Sequence, residues 1–450
     1  MARGKKAAKE LSPEEKLQQA LVPAEEWPYP IPENWCWTTV DKVATVITGG
    51  TPSKKNPEYY GDQFPFFKPT DLDAGRHVIK ASEYLSESGK NVARIIPQES
   101  TAVCCIGSVG KSGYLEIEGT TNQQINSAIP KFNPLYLFYF MNTDNFVNQL
   151  WSKSSATTIS IVNKAKMESC YFPLAPLDEQ QRIVDRIESL FSKLDEAKEK
   201  AQAVVDGFEL RKSAILHKAF TGELTERWRK EHGVGLESWK LKKYSELCNI
   251  VRGGSPRPAG SPEFYDGNIP FMKVADITRN IGPYINSTEY TIKEAGLKKT
   301  RMVQANTLLL TNSGATLGVP AICTFSTTFN DGIAAFLGLD PEYLLFHYYF
   351  WTSKTAELRG INKGAAQPNL NTDIIGAVEI SIPKETEQKE IIRIVDKLLS
   401  KEQQAKEAAE AVLSQIDTMK KAILARAFRG ELGTNDPAEE WAGTLLNKLS

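Results

Sequence analysis

The stretch Cys104 to Gly113, CCIGSVGKSG, closes on Gly-Lys-Ser, the residue types with which a glycine-rich loop cradles a nucleotide phosphate. Successive backbone N–H groups wrap the anion only if a first glycine stands five positions before the Gly-Lys pair. Counted from Gly110, that position is Cys105. Phosphate chemistry is therefore not expected at this loop, and an ATP-hydrolysing protein would have to show turnover that is lost on Lys111→Ala.

A second motif fails in the same way. NPLY, Asn133 to Tyr136, approaches the NPPY of adenine-N6 methyltransferases but lacks the second proline. Asn then Pro ahead of an apolar run is instead a helix start, an N-cap side chain followed by proline in the first turn. No FxGxG-type loop from strand to helix offers a seat for S-adenosylmethionine. The six cysteines (Cys36, Cys104, Cys105, Cys170, Cys248, Cys323) contain no CxxC pair and the four histidines stand singly, so neither a zinc site nor a disulfide framework is indicated. A reduced, cytoplasmic protein fits. The N-terminus MARGKKAAKELSPEEK is charged, and the longest apolar run, Leu135 to Met141, is far too short to span a bilayer. Secretion and membrane insertion are not expected. With 450 residues, 41% of them apolar and 24% charged, the chain has material for more than one packed core. Its net charge of −1 leaves any polyanionic partner to be held by local charge or by another chain.

The elements that must position these residues come as a tandem repeat. KSAILHKAFTGEL from Lys212 lies over KKAILARAFRGEL from Lys420, and DEQQRIVDRIESLFSKLDEAK from Asp178 over TEQKEIIRIVDKLLSKEQQAK from Thr386. Upstream, GGTPSKKNPEYYGDQFPFFKPTDL from Gly49 parallels GGSPRPAGSPEFYDGNIPFMKVADI from Gly253. SVGKSG from Ser108 falls opposite TLGVPA from Thr316, with Val319 in the place of Lys111, and NPLY falls opposite DPEY at Asp340. Trp35 to Phe172 and Trp239 to Ile382 hold short apolar runs broken by Gly, Pro, Asn and Ser, which read as mixed α/β domains with a helix after Pro134 and after Pro341.

Each repeat ends in a long helix. Ile183, Ile187, Leu190, Leu194, Ala197, Ala201, Val204, Phe208, Arg211 and Ile215 step by four and three. Ile391, Val395, Leu398, Glu402, Ala405, Ala409, Val412, Ile416, Met419 and Ile423 keep the same phase. A sustained 3.5-residue period is a coiled-coil seam. Two helices of roughly 35 to 40 residues, about 50 to 60 Å at 1.5 Å per residue, are expected to pack antiparallel, because near-identical units pair with twofold symmetry. The alanines allow close approach, and Arg211 and Glu402 are polar seam residues suited to fixing register.

The order of parts, the PLDEQQRIV entry to the first helix, the AILHKAFTGEL and AILARAFRGEL exits and the GGTPS and GGSPR loops resemble the specificity subunit of type I restriction–modification systems. The similarity spans nearly the whole chain. It implies an α+β fold with a target recognition domain at 33–177, a central helical spacer at 178–228, a second recognition domain at 229–385 and a helical spacer with tail at 386–450. Residues 1–32 are expected to join the helical region, with Leu11 to Leu21 as a short helix. It further implies that each domain reads one half of a split sequence in double-stranded DNA. The helices would set the spacing and dock two modification subunits that carry the methyltransferase chemistry, and two restriction subunits, ATP-dependent translocase nucleases, would complete the complex. The chain itself would be non-catalytic and hold no cofactor; S-adenosylmethionine, ATP and magnesium would sit on the partners.

Base reading needs donor and acceptor side chains on loops, and phosphate contact needs Lys, Arg or exposed N–H groups. The candidate DNA-binding residues of the first domain are Thr51, Ser53, Lys54, Lys68, Ser108, Lys111, Asn122, Gln123, Gln124 and Lys153, the last opening the segment KSSATT. Those of the second are Ser255, Arg257, Lys273, Asn312, Ser313, Thr316, Asn330, Lys363 and Gln367. Domain charge is nearly balanced, with 13 basic against 12 acidic residues from Asn34 to Phe172 and 14 against 12 from Trp239 to Ile380. A scaffold that joins protein partners through two copies of one domain is the rival of a different class.

Overall fold

A computed structural model describes residues 12–155, 160–314, 316–361 and 370–449, in two compact units. The first unit comprises residues up to 201 together with 411–450, and the second residues 202–410.

In the first unit, an antiparallel sheet runs in the order Ala44–Thr48, Ile125–Pro130, Ser100–Cys104, Ser112–Leu115. A second sheet runs Tyr60–Gly61, Glu83–Leu85, Phe64–Phe67, Thr120–Thr121, and its last pair is parallel. Ser100–Cys104 is buried along its whole length, which is why its apolar residues Ala102, Val103 and Cys104 follow one another without alternation. The run Leu135 to Met141 is the helix Pro134–Met141, and Asn133 caps it by accepting from the Leu135 and Tyr136 amides at 3.1 and 3.2 Å. Six successive residues of this helix are buried; Tyr136 and Phe140 pack on Phe428, and Phe140 also packs on Phe172.

The second unit repeats the plan. One sheet runs Asn249–Arg252, Ile333–Leu337, Thr307–Thr311, Pro320–Cys323, Tyr284–Ile285, and the other Tyr290–Ile292, Tyr265–Met272, Thr327–Phe329, Arg301–Val303. The extra strand Tyr284–Ile285 pairs parallel with Pro320–Cys323 where the first unit has a single parallel bridge, Val78 to Leu115. Each domain also closes on its own helical region through a two-stranded ribbon, Cys36–Thr39 with Tyr171–Leu174 and Lys240–Lys243 with Glu379–Ile382.

The long helices pair antiparallel within each unit. In the first, Lys420 bonds Asp195 at 2.6 Å and lies over the Phe191 ring, while Leu424, Ala427 and Phe428 share one buried cluster with Ile183 and Ile187. In the second, Arg211 Nε donates to Glu402 at 2.6 Å, Lys406 lies over Phe208, and Leu216 and Ala219 are buried with Ile391 and Val395. The second helix is continuous over Glu385–Ala427, whereas the first is divided into Leu177–Asp206 and Phe208–Phe220 at Gly207. The irregularity has a cause: Arg211 folds back so that Nη2 donates to the Val204 carbonyl at 2.7 Å, and a Cβ on Gly207 would stand 2.3 Å from Nη1. The seam is also narrower than its period suggests. Val412 and Met419 are exposed. Ala405 is exposed as well.

The first and last described helices pack together, Pro13–Ala20 with a Ser12/Glu15 capping box against Ala442–Leu449. Arg182 grips Glu439 through two bonds of 2.7 and 2.9 Å, anchoring the tail to the first long helix. No helix among the described residues is long and apolar enough to cross a membrane.

Candidate nucleic-acid interface

The Gly-Lys-Ser loop is a β-hairpin. Gly110 N–H donates to Cys104 O at 3.0 Å and Cys104 N–H to Lys111 O at 2.7 Å, closing the turn between Ser100–Cys104 and Ser112–Leu115. A phosphate loop needs a helix after it, whose N-terminus faces the anion; here a strand follows. Thr311 and Gly318 close the equivalent turn in the second unit, Gly318 N–H to Thr311 O at 2.7 Å.

The double-glycine loops form a second, rigid feature. Gly49 N–H donates to Ile125 O (3.0 Å) and Gly50 N–H to Thr121 O (2.8 Å). Gly253 and Gly254 repeat this with Ile333 O (3.0 Å) and Phe329 O (3.1 Å). A Cβ on Gly49 would meet Asn122 O at 2.2 Å, and one on Gly253 would meet Asn330 O at 2.3 Å. Only glycine permits so close an approach of two backbones. Each loop is thereby pressed on the three-residue turn that follows the short parallel strand, Asn122-Gln123-Gln124 or Asn330-Asp331-Gly332.

The structure gathers one set of candidates here. Thr51, exposed, donates to the Gln123 side chain, and Ser255 donates to Asp331 Oδ1 at 2.6 Å. Ser53 and Lys54 are exposed beside Thr51, and Ser53 Oγ accepts from the Lys55 amide. Arg257, largely exposed, brings Nη2 within 3.9 Å of Asp331 Oδ2. Lys273 sits over the Tyr290 ring, 3.1 Å from its centroid. In the second domain, Ser255, Arg257, Lys273, Tyr290 and Asp331 line a cavity of about 270 Å³ with Tyr265 and Asn330. Asn330 Oδ1 is buried there without a hydrogen-bond partner among the described residues.

The other candidates divide into some that are bonded or buried within the fold and some that stand at its surface. Asn122, 7% exposed, holds its own turn, with Nδ2 donating to Gln124 Oε1 and Oδ1 accepting from the Gln124 amide. Lys68 is paired with Glu83, and Lys111 with Asp73 at 2.6 Å. Asn312 is 1% exposed, with neither amide atom partnered among the described residues. Ser108 and Thr316 are exposed at the hairpin tips, Ser313 is half-buried in its hairpin, and Lys153 ends the helix Asp144–Lys153, 5.9 Å from the Tyr171 ring. Lys363 and Gln367 lie outside the described residues.

Sequence reading passed over Asp331 and the contacts that seat each domain on its helix. Arg76 bonds Glu116 at 2.7 Å and Glu188, on the first long helix, at 3.2 Å, and Tyr139 donates to the same Glu188 oxygen. Its equivalent in the second unit is Tyr349 donating to Asp396 at 3.0 Å. Burial, reinforced by the carboxylate, pushes both tyrosine hydroxyls well above their ordinary range.

The family model for the type I restriction modification DNA specificity domain matches residues 32–205 and again 236–411. The chain belongs to that family. It carries the specificity domain twice, and each copy is a DNA-recognition domain. Membership in the family makes its role recognition rather than catalysis. It is 22% identical over 429 residues to the EcoKI specificity subunit of Escherichia coli K12, covering 91% of each chain. A specificity subunit of Methanocaldococcus jannaschii, MjaIX, is 26% identical over 306 residues, 64% of this chain and 68% of that one. The crystal structure of the HsdS subunit from Thermoanaerobacter tengcongensis shares the fold with a TM-score of 0.64 at 20% identity, covering 90% of this chain and 99% of that one.

Proposed function

We propose that the two domains of this specificity chain each read one half of a split DNA target, within 33–177 and 229–385, and that the helical regions set the separation of the halves. The helical regions dock two modification subunits, which hold S-adenosylmethionine and methylate adenine N6. Two restriction subunits, using ATP and magnesium, complete the nuclease, and the assembly works in the cytoplasm. The observation that carries this reading is the repeated framework around the double-glycine loops. The same backbone bonds recur in both domains, yet they present different side chains, Thr51 with Gln123 in one and Ser255 with Asp331 in the other. A conserved scaffold that displays different donors and acceptors is what two half-site readers require.

The test is single-molecule sequencing of DNA from a methylation-free host that co-expresses this chain with its modification subunit. The expected result is a split motif carrying N6-methyladenine on both strands, absent without this chain. An assembled pair that leaves the DNA unmodified would overturn the reading and favour a protein scaffold.

A further inference from the structure

The turn after the short parallel strand holds one residue in the same place in both domains, Gln123 and Asp331. The correspondence is fixed by the backbone. Asn122 and Asn330 N–H donate to Phe67 O and Met272 O, and Ile125 and Ile333 N–H donate back to Asn122 O and Asn330 O, all at 3.0 to 3.2 Å. At each site a hydroxyl of the glycine loop donates to one oxygen of the side chain and holds it in position. On Gln123 that leaves the amide nitrogen free to donate; on Asp331 it leaves a second carboxylate oxygen, which only accepts.

A carboxylate is the least expected group on a surface that must approach phosphates. Its surroundings here are basic: Arg257 Nη2 lies 3.9 Å from its free oxygen, Arg252 Nε donates to its backbone carbonyl at 2.6 Å, and Lys273 lines the same cavity. Cations around a half-exposed, oriented acceptor suit a loop whose rim touches phosphate while its centre meets a base edge. In the major groove, cytosine N4 and adenine N6 are donors at the position where guanine O6 and thymine O4 are acceptors, and a carboxylate accepts from the first pair and is repelled by the second.

We propose that this turn position determines specificity in both half-sites, and that Asp331 makes the second half-site require a base with an exocyclic amine, cytosine or adenine, at one position. Gln123, whose amide nitrogen is free to donate and whose oxygen keeps a second lone pair beside the Thr51 bond, matches adenine at the corresponding position of the first half-site. The inference rests on the half-site reading above and names its chemistry.

The assay uses the assembled complex of this chain with its modification subunit, methylating duplex libraries in which one half-site is randomised. The wild-type complex tests the half-site reading itself, since no sequence preference at all would count against that reading before any variant is made. Asp331→Asn is expected to lose about ten- to hundredfold discrimination at a single base pair of the second half-site, with the first half-site and the spacer unchanged. Unchanged preference at every base pair overturns the proposal, and so does a uniform loss across all sequences, which would mark a phosphate-facing or structural role. If Asp331→Asn does not fold, as judged by its melting temperature, the swap Gln123→Asp decides in the library randomised in the first half-site. The swap should move one preference from adenine toward cytosine, and an unchanged or uniformly weakened profile overturns the proposal.

Discussion

Arg229→Met should destabilise the second unit severely, and the structure supplies the size of the effect. Arg229 Nη1 lies 2.8 Å from Glu387 Oε1, the two side chains being 6% and 2% exposed. Glu387 also accepts from Thr225 Oγ1 at 2.7 Å and Trp239 Nε1 at 2.9 Å, so it ties the first turn of the second long helix to 225–239. Methionine fills much of the volume but leaves a buried carboxylate with only neutral donors, a loss of about 3–5 kcal/mol. For a unit of this size, that is a fall of about 6–20 °C in melting temperature. Scanning calorimetry of the full chain reads the fall, and amide exchange over Glu385 to Val395 locates it. Glu387→Gln should cost a similar amount, while the double variant should recover most of the loss because no lone charge remains. The first unit offers an internal control. Among the described residues Glu179, the repeat-equivalent residue, accepts from Trp35 and Asn435 through Oε2 only and its Oε1 has no partner, and burial raises its carboxyl above the ordinary range. A raised carboxyl favours the fold at low pH, and that contribution is lost as the pH rises through its folded value. Glu179→Gln should therefore be neutral or stabilising at pH 7 and should remove this pH dependence, the opposite sign to Glu387→Gln. A drop below 2 °C for Arg229→Met, or equal losses for the two glutamine variants, would refute the reasoning.

His347 is buried beside the Tyr244 hydroxyl, 2.9 Å from Nδ1, and burial pushes its pKa down to about 4. Its contribution is complete above about pH 6.5 and is lost as the pH falls toward 4, up to about 3 kcal/mol; His347→Phe should flatten stability across that interval in paired melts. Gly49→Ala and Gly253→Ala drive a methyl into backbone oxygens, at about 1–3 kcal/mol each. Each should impair methylation by disturbing one half-site in the randomised library, and equal disturbance of both would contradict the loop's local role. With Lys68 and Lys111 neutralised by Glu83 and Asp73, the isolated chain should bind DNA weakly and with a shallow salt slope that steepens when modification subunits join. Filter binding from 50 to 200 mM salt checks this, and equal slopes would argue that the chain makes most phosphate contacts itself.

The architecture was legible because the signals that carry it are periodic. The seam at 3.5 residues and the offset of 208 between repeats each involve many residues at once, and the Asn133-Pro134 cap is local chemistry that folding does not rearrange. The division of the first helix was hidden because it depends on one long side chain. Arg211 reads as an ordinary seam polar until its guanidinium is seen lying over Gly207 and reaching Val204. Exposure at Val412 and Met419 was hidden as well, since a period identifies a stripe but not which of its positions a neighbour covers.

The candidate interface was legible by its place in the fold and not by residue. Both double-glycine loops lie where the repeat puts them, but a selection by donor chemistry favoured Asn312 and Asn122, which the strand ends bury, and lysines whose acidic partners stand far away in sequence. Asp331 was passed over for its charge, the property that distinguishes it once Ser255, Arg252 and Arg257 surround it. Whether a polar side chain reads DNA depends on what it already bonds. A residue spent on its own fold has nothing to offer a base, whereas one held by a single hydroxyl arrives oriented and half free. By that criterion the paired turn positions 123 and 331 are stronger candidates than any free lysine, because a lysine can hold the backbone of any sequence and these two can tell sequences apart.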